Sequence, residues 1–419
     1  MALNSLALIL AKVSTMGLGF VAWLLAARLF AATEVGIASA AVSAIWLCSQ
    51  IALLGISSAV IALYPAHRDA PDRLLNTAYG ITAGAAVVAG GLFLVVASTA
   101  FSELRVISSM PLYIALFLLM SVLGTLGVTL DQTSTALRRG DQALVRGILA
   151  GIVTVCVIFI LPTAIGASGS LAIFAAWTMG AVASVALGWL QLWRSLAGYR
   201  VLPRIDLAIG RRLLAVGLPN YALTLVERAP GPIMPIIVTE MLSPVETAYW
   251  YTVWMMAWIV FIIPIQVGIN LFAEVSHRPD ALAKVVRSGL RLSLGPGVIA
   301  ATGVGVMAPV ALSLLGSAYA SAGTTPLRIL VVTVLPLTFI QAYFAVCRAT
   351  HRMHEAVITC SLSGVFGVGA VVTVGMDHGM IGMAITWLVA QTITGVWAAW
   401  RLWRWTLSAE LQSRFVTDG

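Results

Sequence analysis

The sequence predicts an all-α polytopic membrane protein, and three observations carry that prediction. The 419 residues are 60% hydrophobic and only 10% charged. The mean hydropathy is +0.99. Apolar runs recur from one end of the chain to the other, with short links between them. A soluble chain of this length could not cover its surface with so few polar side chains. The net charge of +8 invites a nucleic-acid reading, but the basic residues lie between apolar runs, which makes them topology determinants and argues against a nucleic-acid partner.

A hydrocarbon core of ~30 Å needs ~20 apolar residues per helix. Twelve runs qualify, at 6–30, 36–65, 75–100, 111–137, 147–165, 170–193, 213–239, 245–273, 290–315, 327–347, 356–375 and 380–400. The first is long enough to span and ends without a small-residue cleavage pattern, so it is read as a span and not as a signal peptide. Of the 24 Lys and Arg residues, 19 fall in the links after even-numbered runs or in the tail, and only Arg28, Arg105 and Arg328 fall near links after odd-numbered runs. That asymmetry predicts cytoplasmic termini. The four cysteines, Cys48, Cys156, Cys347 and Cys360, form no C-x-x-C pair and read as small packing residues.

The chain repeats at an offset of about 212 residues. "LFAATEVGIA" (29–38) aligns with "MLSPVETAYW" (241–250), "ALRRGDQALV" (136–145) with "VCRATHRMHE" (346–355), and "GASGSLA" (166–172) with "GMIGMAI" (379–385). Glu34 then matches Glu246, Arg138 matches Arg348, and Gly166 and Gly169 match Gly379 and Gly382. Six helices per repeat is an even number, so the halves are parallel, related by an axis along the membrane normal. The repeat divides the chain into an N-terminal six-helix bundle, 1–200, and a C-terminal one with a short cytoplasmic tail, 201–419. Two such bundles facing each other predict a central cleft that opens to one side and then the other.

The residues "AARLFAATEVGIAS" (26–39), "IALLGISSAVI" (51–61), "ALRRGD" (136–141), "GLPNYALTLVER" (217–228) and "LLGSAYASAGTTPLRIL" (314–330) resemble the polysaccharide-transporter branch of the multidrug/oligosaccharidyl-lipid/polysaccharide (MOP) flippase superfamily. The similarity covers nearly the whole chain, and its motifs are diffuse. It implies a V-shaped, MATE-like alternating-access transporter in the bacterial inner membrane. It also implies a lipid-linked glycan substrate, such as an O-antigen, capsule or exopolysaccharide repeat unit on undecaprenyl diphosphate. Membrane lipids, a polysaccharide polymerase and glycosyltransferases are the partners it suggests.

Charges inside a span cost ~2.5–3.5 kcal/mol on insertion scales, so each needs a reason. Arg228 lies ~22 Å along the seventh run from Leu213. It is read either as a contact for an anionic head group, whose oxygens suit a guanidinium fork, or as an ion-pair partner of Glu227 or Asp131. Pro230, Gly231, Pro232 and Pro235 follow it and predict a broken helix that serves as a hinge. Lys12 shares a helical face with Thr15, Met16 and Gly19, and either meets substrate or snorkels to the interface. Asp131 is placed to pair with Lys12 or to couple transport to an ion, and Glu227 is the other coupling candidate. Glu34 and Glu246 sit at helix starts, where the dipole favours them. "HRMHE" (351–355) has a metal-ligand spacing without further ligands, so no metal is assigned. The tail "WAAWRLWRWTLSAELQSRF" reads as an interfacial anchor.

No phosphate-binding loop and no nucleophile–base constellation appears, and every link is short, so neither a cofactor nor an enzymatic activity is expected. The leading expectation is a lipid-linked oligosaccharide flippase. A cation-coupled exporter on the same fold and a scaffold for a polysaccharide synthase are the alternatives.

Overall fold

In lipid, every backbone N–H and C=O must find a partner within its own segment, which leaves helices and closed barrels as the spanning structures. The computed structural model takes the first solution. It describes the backbone of residues 2–164, 169–196, 199–200, 205–277 and 281–417, and side chains within 14–163, 169–196, 199–200, 205–219, 221–277 and 281–406. No strand occurs among the described residues.

The helices are α1 (Ala2–Leu29), α2 (Ala32–Leu53), α3 (Ile56–Leu63), α4 (Pro71–Ala100), α5 (Arg105–Ser109), α6 (Pro111–Ala136), α7 (Gly140–Ala164) and α8 (Ser170–Ser195). They continue with α9 (Leu207–Arg228), α10 (Pro230–Met241), α11 (Pro244–His277), α12 (Leu282–Ser313), α13 (Ser317–Val332), α14 (Val334–Ala349), α15 (Met353–Ala370) and α16 (Gly379–Thr417).

Twelve spans are predicted; nine stretches among the described residues are helical, long and apolar enough to cross a membrane. On α1 (Ala2–Leu29) the count begins at Ser14, where the described side chains begin, so the first predicted span is neither gained nor lost. The seventh run is divided between the 12-residue α10 and α9, whose 22 residues carry four charges, Arg211, Arg212, Glu227 and Arg228. The last two predicted spans are the separate helices α15 and α16, which fall in one continuous helical stretch from Met353 to Thr406.

By packing, the chain separates into Met1–Ala248 and Tyr249–Gly419. This boundary differs from the repeat boundary at 200/201. The packing that decides it is that of the seventh run. The α2–α3 break at Leu54 (φ 48°) and Gly55 (φ 73°) lets two backbones touch. A Cβ on Gly55 would lie 2.3 Å from the carbonyl oxygen of Gly217 in α9, and one on Gly217 would lie 2.5 Å from that of Gly55. Only glycine fits either position. Beside this crossing, the Tyr221 hydroxyl donates to the Gln50 carbonyl (2.7 Å) and its side-chain oxygen Oε1 (2.6 Å). Farther along, the Glu240 carboxylate accepts the backbone N–H groups of Ser102 (2.7 Å), Glu103 (3.2 Å) and Leu104 (2.7 Å), which anchors α10 to the α4–α5 link.

The core of this first unit gathers Ile56, Leu74, Leu75, Tyr79, Leu130 and Leu213. A ladder of buried hydroxyls lines α6: Ser121, Thr125, Thr129 and Thr133 each donate to the carbonyl four residues back, at 2.8–3.0 Å. Small residues whose polar atoms are satisfied within their own helix allow close approach. Gly90 of α4 uses this, since a Cβ there would lie 2.7 Å from Ser121 Oγ.

In the second unit, Trp254 meets Trp387 edge-on at 5.4 Å and Tyr249 meets Tyr319 at 4.8 Å. Glu355 accepts from Arg401 (2.6 Å) and Tyr343 (3.0 Å). Arg401 and Arg352 both lie over the Trp405 ring. The Trp/Arg tail is thereby fastened to the helix that begins in "HRMHE". Cys48, Cys347 and Cys360 are buried as packing residues, whereas Cys156 is exposed on α7.

The internal repeat has a backbone signature. Arg138 and His351, 213 residues apart, both take left-handed conformations (φ 58° and 57°), so the counterpart of Arg138 is His351 and not the Arg348 that the sequence alignment gives. After each, an N–H donates five residues back: Arg139 to Ser134 and Arg352 to Cys347, both at 2.8 Å. The same helix stop, with non-glycine residues in the strained position, ends α6 and α14. Gly169 and Gly379, at the starts of α8 and α16, also have positive φ, which pairs Gly169 with Gly379 where the sequence alignment pairs it with Gly382; Gly166 lies outside the described residues.

Candidate functional site

Helix α9 ends on Arg228 and α10 begins on Pro230. The predicted break is a single residue, Ala229, which itself keeps helical angles (φ −56°, ψ −40°). The expectation that Pro230, Pro232 and Pro235 prevent regular helix is therefore corrected. Pro230 occupies the first helical position, where no donor is needed; Pro232 falls in the same first turn, and Pro235 is accommodated inside α10. The chemistry of the prolines persists: the carbonyls of Val226, Arg228 and Gly231 have no N–H four residues on to accept from. Such a stretch is tolerated at membrane depth only against protein or water.

Arg228 is the only exposed residue from Tyr221 to Glu240 among the described side chains. It makes no hydrogen bond or ion pair with any described residue. The alternative expectation, a pair with Glu227 or Asp131, is not what the structure shows. Glu227 is half-buried and has a partner of its own, and Asp131 is held elsewhere. No large apolar side chain is exposed between Leu218 and Met241. Lipid-facing helices look different: α4 exposes Val88, Leu92 and Val95 at 60–63%. The α9–α10 stretch around Arg228 thus presents no large apolar side chain of its own to acyl chains.

Asp131 forms a salt bridge with Arg146 (2.7 Å), whose side chain is 2% exposed against 55% for Asp131. Arg146 also donates to Gln191 Oε1 (2.6 Å) and Ser134 Oγ (3.0 Å). Gln191 in turn donates to the Gln142 carbonyl, and Gln142 to Ser195 Oγ (2.7 Å). This network ties α6, α7 and α8 together. Arg146, counted from sequence as a link residue, is an interior one; apolar neighbours on both sides, "ALVRGILAG", were the available signal. Arg328 also lies within a helix, α13, and not in a link.

Glu34 sits in the first turn of α2 and accepts the backbone N–H of Ser170 at the start of α8 (2.5 Å). Glu246 lies in the first turn of α11. Lys12 belongs to α1, but its side chain lies outside the described residues. Of its predicted face, Thr15 is exposed, while a Cβ on Gly19 would lie 3.8 Å from Trp177.

No family model matches the chain, and no curated protein matches it. Solved structures do match. A lipid II flippase, MurJ, in an inward closed conformation aligns over 100% of this chain and 93% of its own, with TM-score 0.73 and 14% identity. An inward-facing multidrug-resistance MATE transporter of the MOP superfamily aligns over 96% of each chain, with TM-score 0.71 and 12% identity. A MATE structure in complex with MaL6 covers 97% of this chain and 95% of its own, at TM-score 0.64 and 12% identity. The chain has a MOP-like, all-helical transporter fold. Identity this low speaks for the MOP fold alone. Together with the apolar helices, it makes the chain a multi-pass membrane protein.

Proposed function

We propose that the chain is a flippase that moves a diphosphate-linked lipid, most specifically an undecaprenyl-diphosphate-linked oligosaccharide, across a bacterial inner membrane by alternating access. The observation that carries this reading is the exposed guanidinium of Arg228, which makes no hydrogen bond or ion pair with a described residue and lies in a stretch, between Leu218 and Met241, without an exposed large apolar side chain. Two Nη groups in a plane match two oxygens of a phosphate, and the charge suits a diphosphate. An organic cation would instead need an uncompensated carboxylate, and Asp131 is neutralised by Arg146. The MOP fold supports the transport class, and the structural neighbour described as a lipid II flippase acts on a lipid. In this reading Arg228 holds the diphosphate, the glycan stays hydrated, and the polyprenyl chain stays in lipid. A polymerase and glycosyltransferases would consume and supply the substrate.

The test is transport in proteoliposomes of a fluorescent polyprenyl-diphosphate disaccharide against a cationic dye. Faster movement of the diphosphate lipid than in protein-free vesicles, with no uptake of dye, supports the flippase. Uptake of dye without lipid movement overturns it in favour of an exporter. Movement of neither makes the chain a scaffold.

A further inference from the structure

Helices α12 and α13 of the second unit expose surfaces of opposite character. On α12 the exposed large residues include Leu292, Ile299, Val306, Met307 and Val310, at 53–74%. On α13 the exposed residues are Ser317, Ala318, Ser321, Thr325, Arg328 and Val332. The polar ones recur at spacings of three and four, so they form one stripe along the helix. A stripe of that kind on a membrane helix faces water or a polar ligand.

Arg328 lies 11 residues into α13, ~16 Å from Ser317 at 1.5 Å per residue, about halfway across a ~30 Å core. Its Nε donates to the carbonyl of Gly305 in α12 at 3.0 Å. The residue four positions beyond Gly305 is Pro309, which sits inside α12 and has no N–H to give. Arg328 thus satisfies the carbonyl that the proline leaves open. One edge of the guanidinium is fixed to the helix, and its Nη groups make no hydrogen bond or ion pair with a described residue. Thr325, one turn before it and also exposed, makes no hydrogen bond within the described structure.

We propose that Arg328, with the Thr325 hydroxyl beside it, is a second anion contact of the transport pathway, carried by the C-terminal unit and pre-oriented by the carbonyl that Pro309 frees. This inference rests on the flippase reading. A guanidinium already held through Nε loses less freedom when its Nη groups take up a phosphate.

A purely structural cap and a substrate contact separate in one experiment. Pro309→Ala returns an N–H to the Gly305 carbonyl and so removes the need for a cap. Wild type, Pro309→Ala, Arg328→Gln and the Arg328→Gln/Pro309→Ala double variant are reconstituted. Flipping of a fluorescent polyprenyl-diphosphate disaccharide is measured beside Tm. The expected result is that the double variant recovers the Tm lost in Arg328→Gln, yet flips the lipid at least about tenfold more slowly than Pro309→Ala at subsaturating substrate. Equal rates in the double variant and Pro309→Ala would reduce Arg328 to a helix cap and overturn the inference. Wild type that moves no diphosphate lipid would overturn the flippase reading itself, and the inference with it.

Discussion

Arg146 and Arg228 both lie within helices of the first unit, and their surroundings could hardly differ more. Arg146 is 2% exposed and surrounded by acceptors: a carboxylate, an amide oxygen and a hydroxyl. Arg228 is exposed and makes no hydrogen bond or ion pair with a described residue. The first charge has been spent inside the protein, joining three helices. The second remains available. A charge within an apolar helix points to function when no described residue pairs with it, and to structure when several do.

Several substitutions probe that contrast, beginning with the largest effect. Asp131→Ala removes the anion from a buried guanidinium and is expected to destabilise by about 3–5 kcal/mol, read as a fall in Tm and in detergent-solubilised yield. Asp131→Asn keeps a neutral acceptor and should lose about 1–3 kcal/mol. If Asp131→Asn instead keeps its Tm and loses dependence on an ion gradient, the carboxylate couples transport and the contrast with Arg228 narrows.

Gly217→Ala tests the docking that places Arg228. Its methyl would press on the Gly55 carbonyl at 2.5 Å, and overpacking of this kind costs about 1–3 kcal/mol. Thermal unfolding would show the loss, and flipping should fall with it, because α9 shifts. Glu240→Gln weakens the cap on three backbone N–H groups and should cost about 1–2 kcal/mol. Urea or heat titration of the solubilised protein would reveal it. Arg228→Ala belongs at the small end, with stability within about 0.5 kcal/mol of wild type, because its exposed side chain makes no hydrogen bond or ion pair with a described residue.

Much of this was legible in the sequence. Composition alone required helices, and the apolar runs lie on the helices observed. The repeat read from "ALRRGDQALV" and "VCRATHRMHE" reappears as the same left-handed helix stop, but at Arg138 and His351, three residues off the predicted match of Arg138 with Arg348. Arg228 stood out because an isolated charge in an apolar run is conspicuous. Arg146 and Arg328 did not, because each lies near enough to a link to be assigned to it. Which side of a helix end a residue falls on is set by packing, and boundaries are where sequence reasoning is weakest. Glu240 was invisible for a different reason: its partners are backbone N–H groups some 137 residues away, which leave no trace in side-chain pattern. The proline-rich stretch misled in degree. Prolines in the first turn of a helix leave its geometry intact, and only their missing donors matter.

The most direct test of the central claim is ligand-induced stabilisation of Arg228→Ala. Tm of the solubilised protein is recorded with and without farnesyl diphosphate, beside wild type and Asp131→Ala. A ligand that binds only the folded state raises Tm in proportion to its affinity. The expected result is an unliganded Tm matching wild type, together with loss of most of the shift that the diphosphate gives wild type. A full shift in Arg228→Ala would show that Arg228 does not hold the diphosphate, and an unliganded Tm that falls as far as that of Asp131→Ala would show that it holds the protein together; either result contradicts the account.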